Sequence, residues 1–136
     1  MSRTQLVIDA SAAIYLASAA EMPPEVAGFD LVAPPNFPSE RTSALSAAIY
    51  RGELPNTAGD ELFGRLEAMV VRVIDDGTLH RREAFDLARS LGWAKTYDAE
   101  YVVLARRLEC ALLTSDARLE RGARRIVQIL VPASFA

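Results

Sequence analysis

Four carboxylates occupy positions from which chemistry can be built. Asp9 follows directly on the apolar run Leu6-Val7-Ile8, and Asp116 closely follows Ala111-Leu112-Leu113. Glu40 falls in the first turn of a helix expected after Pro38, and Asp98 in the first turn of one marked by Tyr97, Tyr101, Leu104 and Leu108. An acid at a helix start also complements the helix dipole, and an Asp at a strand end also forms turns and caps. Four acids facing one rim are harder to explain that way. Brought together unpaired, they repel and raise each other's pKa. A divalent cation relieves that repulsion. All-oxygen ligation suits Mg²⁺ or Mn²⁺, with Mg²⁺ keeping several waters and a substrate phosphate.

Composition leaves carboxylates as the main reactive groups. The chain of 136 residues has one cysteine, Cys110, and one histidine, His80. A disulfide framework, a thiolate zinc site, a CxxC pair and a His-rich zinc site are excluded, and a Ser-His-Asp triad would have to use His80. His80 follows a turn and precedes Arg81-Arg82, so it reads as a surface residue. Cys110 reads as a small buried hydrophobe. The uncharged run Ala10 to Ala20 is too short to span a bilayer, and Asp9 interrupts the place where a signal peptide needs its apolar region. The expected location is the cytoplasm. The net charge of −3 conceals an asymmetry: residues 1–68 hold 4 basic and 9 acidic side chains, and residues 69–136 hold 11 and 9. All but one of the basic residues are Arg, the exception being Lys95.

The elements that must position the acids alternate in type. Short apolar runs at Leu6–Ile8, Asp30–Ala33, Val70–Ile74, Ala111–Leu113 and Ile126–Val131 predict strands. Helices are expected at Ser11–Ala20, Pro38–Tyr50, Thr57–Met69, Leu79–Leu91, from Tyr97 to Leu108, and at Ala117–Ala123, with a loop at Met22–Gly28. Continuous apolar strands alternating with helices predict an α/β fold, with a central parallel sheet of about five strands and helices on both faces. In such a sheet the ligand crevice lies beyond the carboxyl ends of the strands, where Asp9 and Asp116 stand. No repeat, linker or low-complexity tract divides the chain, so residues 1–136 are read as one domain.

Four segments together resemble a known family. Val7-Ile8-Asp9-Ala10-Ser11-Ala12, Pro38-Ser39-Glu40 with Ala44-Leu45, Thr96 to Ala105, and Leu112 to Leu119 resemble, in order, the four acidic motifs of PIN-domain nucleases. Length and element order are similar to those of the VapC toxins of bacterial toxin–antitoxin pairs, over nearly the whole chain. The resemblance implies a PIN-like fold and a Mg²⁺- or Mn²⁺-dependent endoribonuclease. It also implies a homodimer, and a cognate antitoxin that blocks the site in a heterotetramer or larger assembly. By position, Asp9, Glu40, Asp98 and Asp116 would be the catalytic acids, and Ser11 and Thr114 supporting hydroxyls. Asp9 and Asp116 would bind the metal directly, Asp98 directly or through water, and Glu40 would orient or deprotonate the attacking water. The chain departs from the family pattern after Glu40. Arg41 and Ser43 replace the usual apolar residue and Asn, which bears on the packing and polar support of Glu40.

Other residues admit two readings. Arg118 and Arg121, with Arg124 and Arg125 beyond, can contact RNA phosphates or form a solvated helix face. Glu120, one turn after Asp116, is a supporting acid or a solvated one. Trp93 and Tyr97 can stack on bases or pack in a core or interface. Phe29, Phe37, Ile49, Tyr50, Leu62, Phe63 and Leu66 belong to the core, with some free to line a dimer or antitoxin groove. Two other functions remain open: a catalytically weak PIN-like module that binds a protein partner, and a metal-dependent phosphatase with Asp9 as nucleophile. Against the second, Ser11 stands where one large phosphatase family has another Asp.

Overall fold

The computed structural model describes residues 3–19 and 21–135. Five short strands form one sheet: β1 (Gln5–Ile8), β2 (Asp30–Ala33), β3 (Arg72–Val73), β4 (Ala111–Leu113) and β5 (Ile129–Leu130). Their order is β3-β2-β1-β4-β5, and every neighbouring pair is parallel. Successive side chains of a strand point to opposite faces. Leu6, Val7 and Ile8 are all fully buried, so both faces of the sheet are covered. That is why these strands are apolar throughout rather than at alternate residues.

Seven helices surround the sheet among the described residues: α1 (Ala10–Ser18), α2 (Pro24–Ala27), α3 (Phe37–Tyr50), α4 (Gly59–Ala68), α5 (Gly77–Leu91), α6 (Tyr97–Leu108) and α7 (Ala117–Ala123). Helices α1, α3 and α4 pack on one another, while α5 pairs with α6, which lies against β1 and β4. The Ala-rich α1 lets backbones approach closely: Ala12, Ala13, Leu16 and Ala17 are all buried. Helix α5 stops at Gly92, whose φ of 73° is the left-handed cap that glycine adopts without strain.

The register brings strand ends together. Ile8 of β1 is level with Leu113 of β4, and the Asp9 amide donates to the Leu113 carbonyl at 3.2 Å. Strand β1 has β2 on one side and β4 on the other, so the strand order reverses here. This is the switch point at which open parallel sheets form ligand crevices.

Several boundaries differ from the sequence reading. The first helix runs from Ala10 to Ser18, and Ala20 lies outside the described residues. A helical turn, α2, interrupts the expected loop at Met22–Gly28. The expected Thr57–Met69 helix is a 3₁₀ turn at Asn56–Ala58 followed by α4. The third strand shrinks to Arg72–Val73, both exposed, because an edge strand has only β2 to pair with. The last shrinks to Ile129–Leu130 for the same reason at the other edge.

His80 is a larger correction: it is only 2% exposed. His80, Ala84, Leu87 and Ala88 form the buried stripe of α5, at helical spacing. Reading the Arg pair beside His80 as its environment missed that stripe. Among the described residues no helix is long and apolar enough to cross a membrane.

Candidate functional site

Asp9 is built into the junction of β1 and α1. It caps α1, with Oδ1 accepting from the Ala12 amide at 2.9 Å and from the Ser11 hydroxyl at 2.8 Å. Its Oδ2 accepts from the Thr114 hydroxyl. Thr114 is fully buried at the end of β4, and its Oγ1 also accepts from the Asp116 amide at 3.0 Å. Ser11 Oγ accepts from the Ser115 amide at 2.9 Å and lies 3.2 Å from Thr114 Oγ1. Ser11 and Thr114 therefore tie the two strand ends together through Asp9.

Burial pushes the Asp9 carboxyl up to about 6; hydrogen bonds from Thr114, Ala12 and Ser11 pull it down, and the charge of Asp98 adds to the rise. A carboxylate offers about four acceptor sites. Three are taken here, which leaves Asp9 room for about one more ligand. At 5% exposure, with its oxygens so committed, Asp9 is poorly disposed to attack phosphorus as a nucleophile.

Asp116 is likewise a cap. Its Oδ1 accepts from the Arg118 amide at 2.9 Å and the Leu119 amide at 3.3 Å, opening α7. Asp98, in the first turn of α6, is solvent-accessible at the rim and accepts no hydrogen bond from the described residues. Partial burial raises its pKa, Asp116 raises it further, and Arg118 opposes both.

Glu40 is held by two residues that sequence reasoning did not single out for it. Its Oε1 accepts from Tyr101 Oη at 2.7 Å and from Asn36 Nδ2 at 2.9 Å. Its Oε2 accepts no bond within the described residues. Burial raises the Glu40 pKa, the Tyr101 bond lowers it, and the charge of Asp98 raises it again. Tyr101 is itself almost fully buried, and that burial drives its own pKa far upward, so it stays a donor. Asn36 lies four residues before Glu40 and Tyr101 three after Asp98, which was the available signal. Arg41 does not disturb this arrangement. It is buried, with its guanidinium 3.2 Å from Glu67 and 5.2 Å over the Phe37 ring.

The four expected acids line one cavity of about 310 Å³, together with Ser11, Ser43 and Tyr101. A larger cavity, about 510 Å³, is mostly apolar and has one carboxylate, Asp30, which is paired with Arg72. Among the described residues no three of the His, Cys, Asp and Glu side chains are close enough together to hold a metal ion as they stand. The expected three-carboxylate set is thus not a closed cage. In donor type and charge the residues still fit a hard cation, which Mg²⁺ takes through one or two carboxylates with water completing the shell. Arg118 and Arg121 are exposed on α7, and neither they nor Glu120 line this cavity. Glu100 was not anticipated. It stands 3.2 Å from His80 Nε2, and burial followed by the charge of Glu40 raises its pKa.

Fold and site together define an α/β protein whose parallel sheet carries a carboxylate-lined cleft at its central strand ends. No family model matches the chain, and no curated protein matches it. Among solved structures it is similar to the crystal structure of PAE2754 from Pyrobaculum aerophilum, with a TM-score of 0.71 and 22% identity, over 96% of this chain and 85% of that one. That likeness extends the parallel-sheet architecture to a second chain.

Proposed function

We propose that this protein is a metal-dependent endoribonuclease of the PIN-domain, VapC-like type, acting as the toxin of a toxin–antitoxin pair. The convergence of Asp9, Glu40, Asp98 and Asp116 on one cavity at the ends of β1 and β4 carries this reading. Asp9, Asp98 and Asp116 are the residues to hold Mg²⁺ or Mn²⁺. When bound, the ion offsets their charge, lowers the pKa of bound water and stabilises negative charge on phosphoryl oxygens.

The chain's own part is positioning and proton transfer. Ser11 and Thr114 fix Asp9 in one orientation. Asn36 and Tyr101 hold Oε1 of Glu40, leaving Oε2 to accept a proton from the attacking water. A raised pKa makes Glu40 a better base near neutral pH. Water then displaces the leaving oxygen of the phosphodiester in line, and that oxygen takes a proton from solvent. The partners of this reading are an RNA substrate, a second copy of the chain and a cognate antitoxin, in the cytoplasm.

The test is incubation of purified protein with RNA, with Mn²⁺ and with chelator. Cleavage that needs the ion and disappears in Asp98→Asn is the expected result. RNA left intact under both conditions, beside tight capture of a partner protein, would favour the binding module instead.

A further inference from the structure

A second cavity, about 450 Å³, adjoins the acid cleft, and Asp98 forms a wall of both. Its lining includes Trp93, Lys95, Arg118 and Leu119. The volume falls within the roughly 300–1,000 Å³ typical of small-molecule sites. Most cations elsewhere are spoken for. Arg41, Arg51, Arg65, Arg72, Arg82, Arg106 and Arg107 all pair with acids. Lys95 and Arg118 make no such pair among the described residues, nor do Arg121, Arg124 and Arg125 further along α7 and just beyond it. Arg3, Arg81 and Arg89 pair with no acid either, so among the described residues five of the eight unpaired cations lie on α7, just after it, or on the wall of this cavity.

Trp93 is seated rigidly at this place. Its amide donates to the Ala88 carbonyl at 2.9 Å, just after the left-handed turn at Gly92. Its indole lies so close to Gly122 that a Cβ there would come within 2.8 Å of the ring. The ring is only part-buried. A fixed, partly open indole with two unpaired cations around it is the combination that single-stranded nucleic acid uses: base on ring, phosphate on cation.

Resting on the nuclease reading, we propose that the Trp93–Lys95–Arg118 cavity binds the nucleotide flanking the scissile phosphate of a single-stranded RNA. The base stacks on Trp93, and Lys95 and Arg118 take the adjoining phosphate. The strand then crosses Asp98 to place the next phosphate among the acids.

Trp93 is the sole tryptophan, so its emission reports on this cavity without a label. The experiment titrates the full chain, in chelator to prevent hydrolysis, with a single-stranded RNA pentanucleotide. It follows both Trp93 emission and the anisotropy of an end-labelled copy of the same oligonucleotide. Saturable quenching in step with the anisotropy change is expected. Trp93→Ala weakens binding about tenfold, while Trp93→Phe retains most of it. Lys95→Gln and Arg118→Gln each lower the salt slope by about one. Circular dichroism confirms that the variants fold.

Binding seen by anisotropy with unmoved Trp93 emission, or unchanged affinity and salt slope in the folded variants, overturns the proposal. The two readings fail separately. RNA cut in Mn²⁺ with no involvement of Trp93 sinks the subsite alone. Quenching that responds to the variants, with no cleavage in Mn²⁺, supports the subsite and sinks the hydrolytic reading.

Discussion

Asp9 offers a test that does not depend on any activity. Its carboxyl is raised from 3.8 to about 6 by burial. A group that binds protons more tightly folded than unfolded favours the fold while protonated, and that advantage shrinks as pH rises through the window between the two values. With one pKa unit worth 1.36 kcal/mol, Asp9 alone should remove about 2 to 3 kcal/mol of stability between pH 4 and pH 7 in the metal-free protein. Other groups titrate over the same range, so the reference is Asp9→Asn. The amide keeps an oxygen for Ala12 and Ser11, and presents NH₂ to Thr114 Oγ1. That hydroxyl, no longer needed by Asp9, can donate to Ser11 Oγ 3.2 Å away. Urea unfolding of both proteins in chelator, at pH 4 and pH 7, gives the double difference. The variant should gain on the wild type by about 2 to 3 kcal/mol across that interval. A difference that stays flat with pH would refute the account of Asp9 as a carboxylate charged against its surroundings.

Three further outcomes follow from the same geometry. Asp98→Asn removes a like charge from both Asp9 and Glu40. The pH at which Asp9 costs stability should move downward, and RNA cleavage should fall by about 100-fold or more; unfolding and a gel assay measure the two effects. Tyr101→Phe deletes the 2.7 Å bond to Glu40. It should cost about 1 to 2 kcal/mol in thermal unfolding and shift the base limb of the cleavage pH profile upward, because the bond favours the charged carboxylate. Arg41→Met should leave stability within about 1 kcal/mol or raise it, because Arg41 Nε is buried without a partner and Glu67 is half exposed. A loss of several kcal/mol in a melting experiment would show that the Arg41–Glu67 pair stabilises the fold.

The legible parts of the fold share a physical cause. Strands β1 and β4 are covered on both faces, so they appear as unbroken apolar runs, and an acid immediately beyond such a run marks the rim. Edge strands β3 and β5 lack that cover, so the runs Val70–Ile74 and Ile126–Val131 announced the strands but overstated their lengths. His80 was misread because its flanking arginines are conspicuous, whereas the small residues Ala84 and Ala88 that continue its stripe are not. At the site, Asp9 and Asp116 were legible as strand ends, and Glu40 and Asp98 as helix starts. The support of Glu40 was not. Asn36 follows two prolines and looks like a turn former, and Tyr101 looks like one more apolar residue of α6. Their bonds to Glu40 join two helices distant in sequence, which no local pattern encodes.

The capping bonds divide the four acids into two kinds. Asp9 opens α1 and Asp116 opens α7, so each is retained by folding whether or not it does chemistry. Glu40 and Asp98 cap nothing, and Asp98 in particular puts a charge beside that of Asp116, which Arg118 only partly offsets. In a diverged copy of this chain, intact aspartates at the first and last positions would be weak testimony to activity. The two helix-start acids are more informative, Asp98 above all, since beyond complementing the helix dipole it accepts no bond from the described residues.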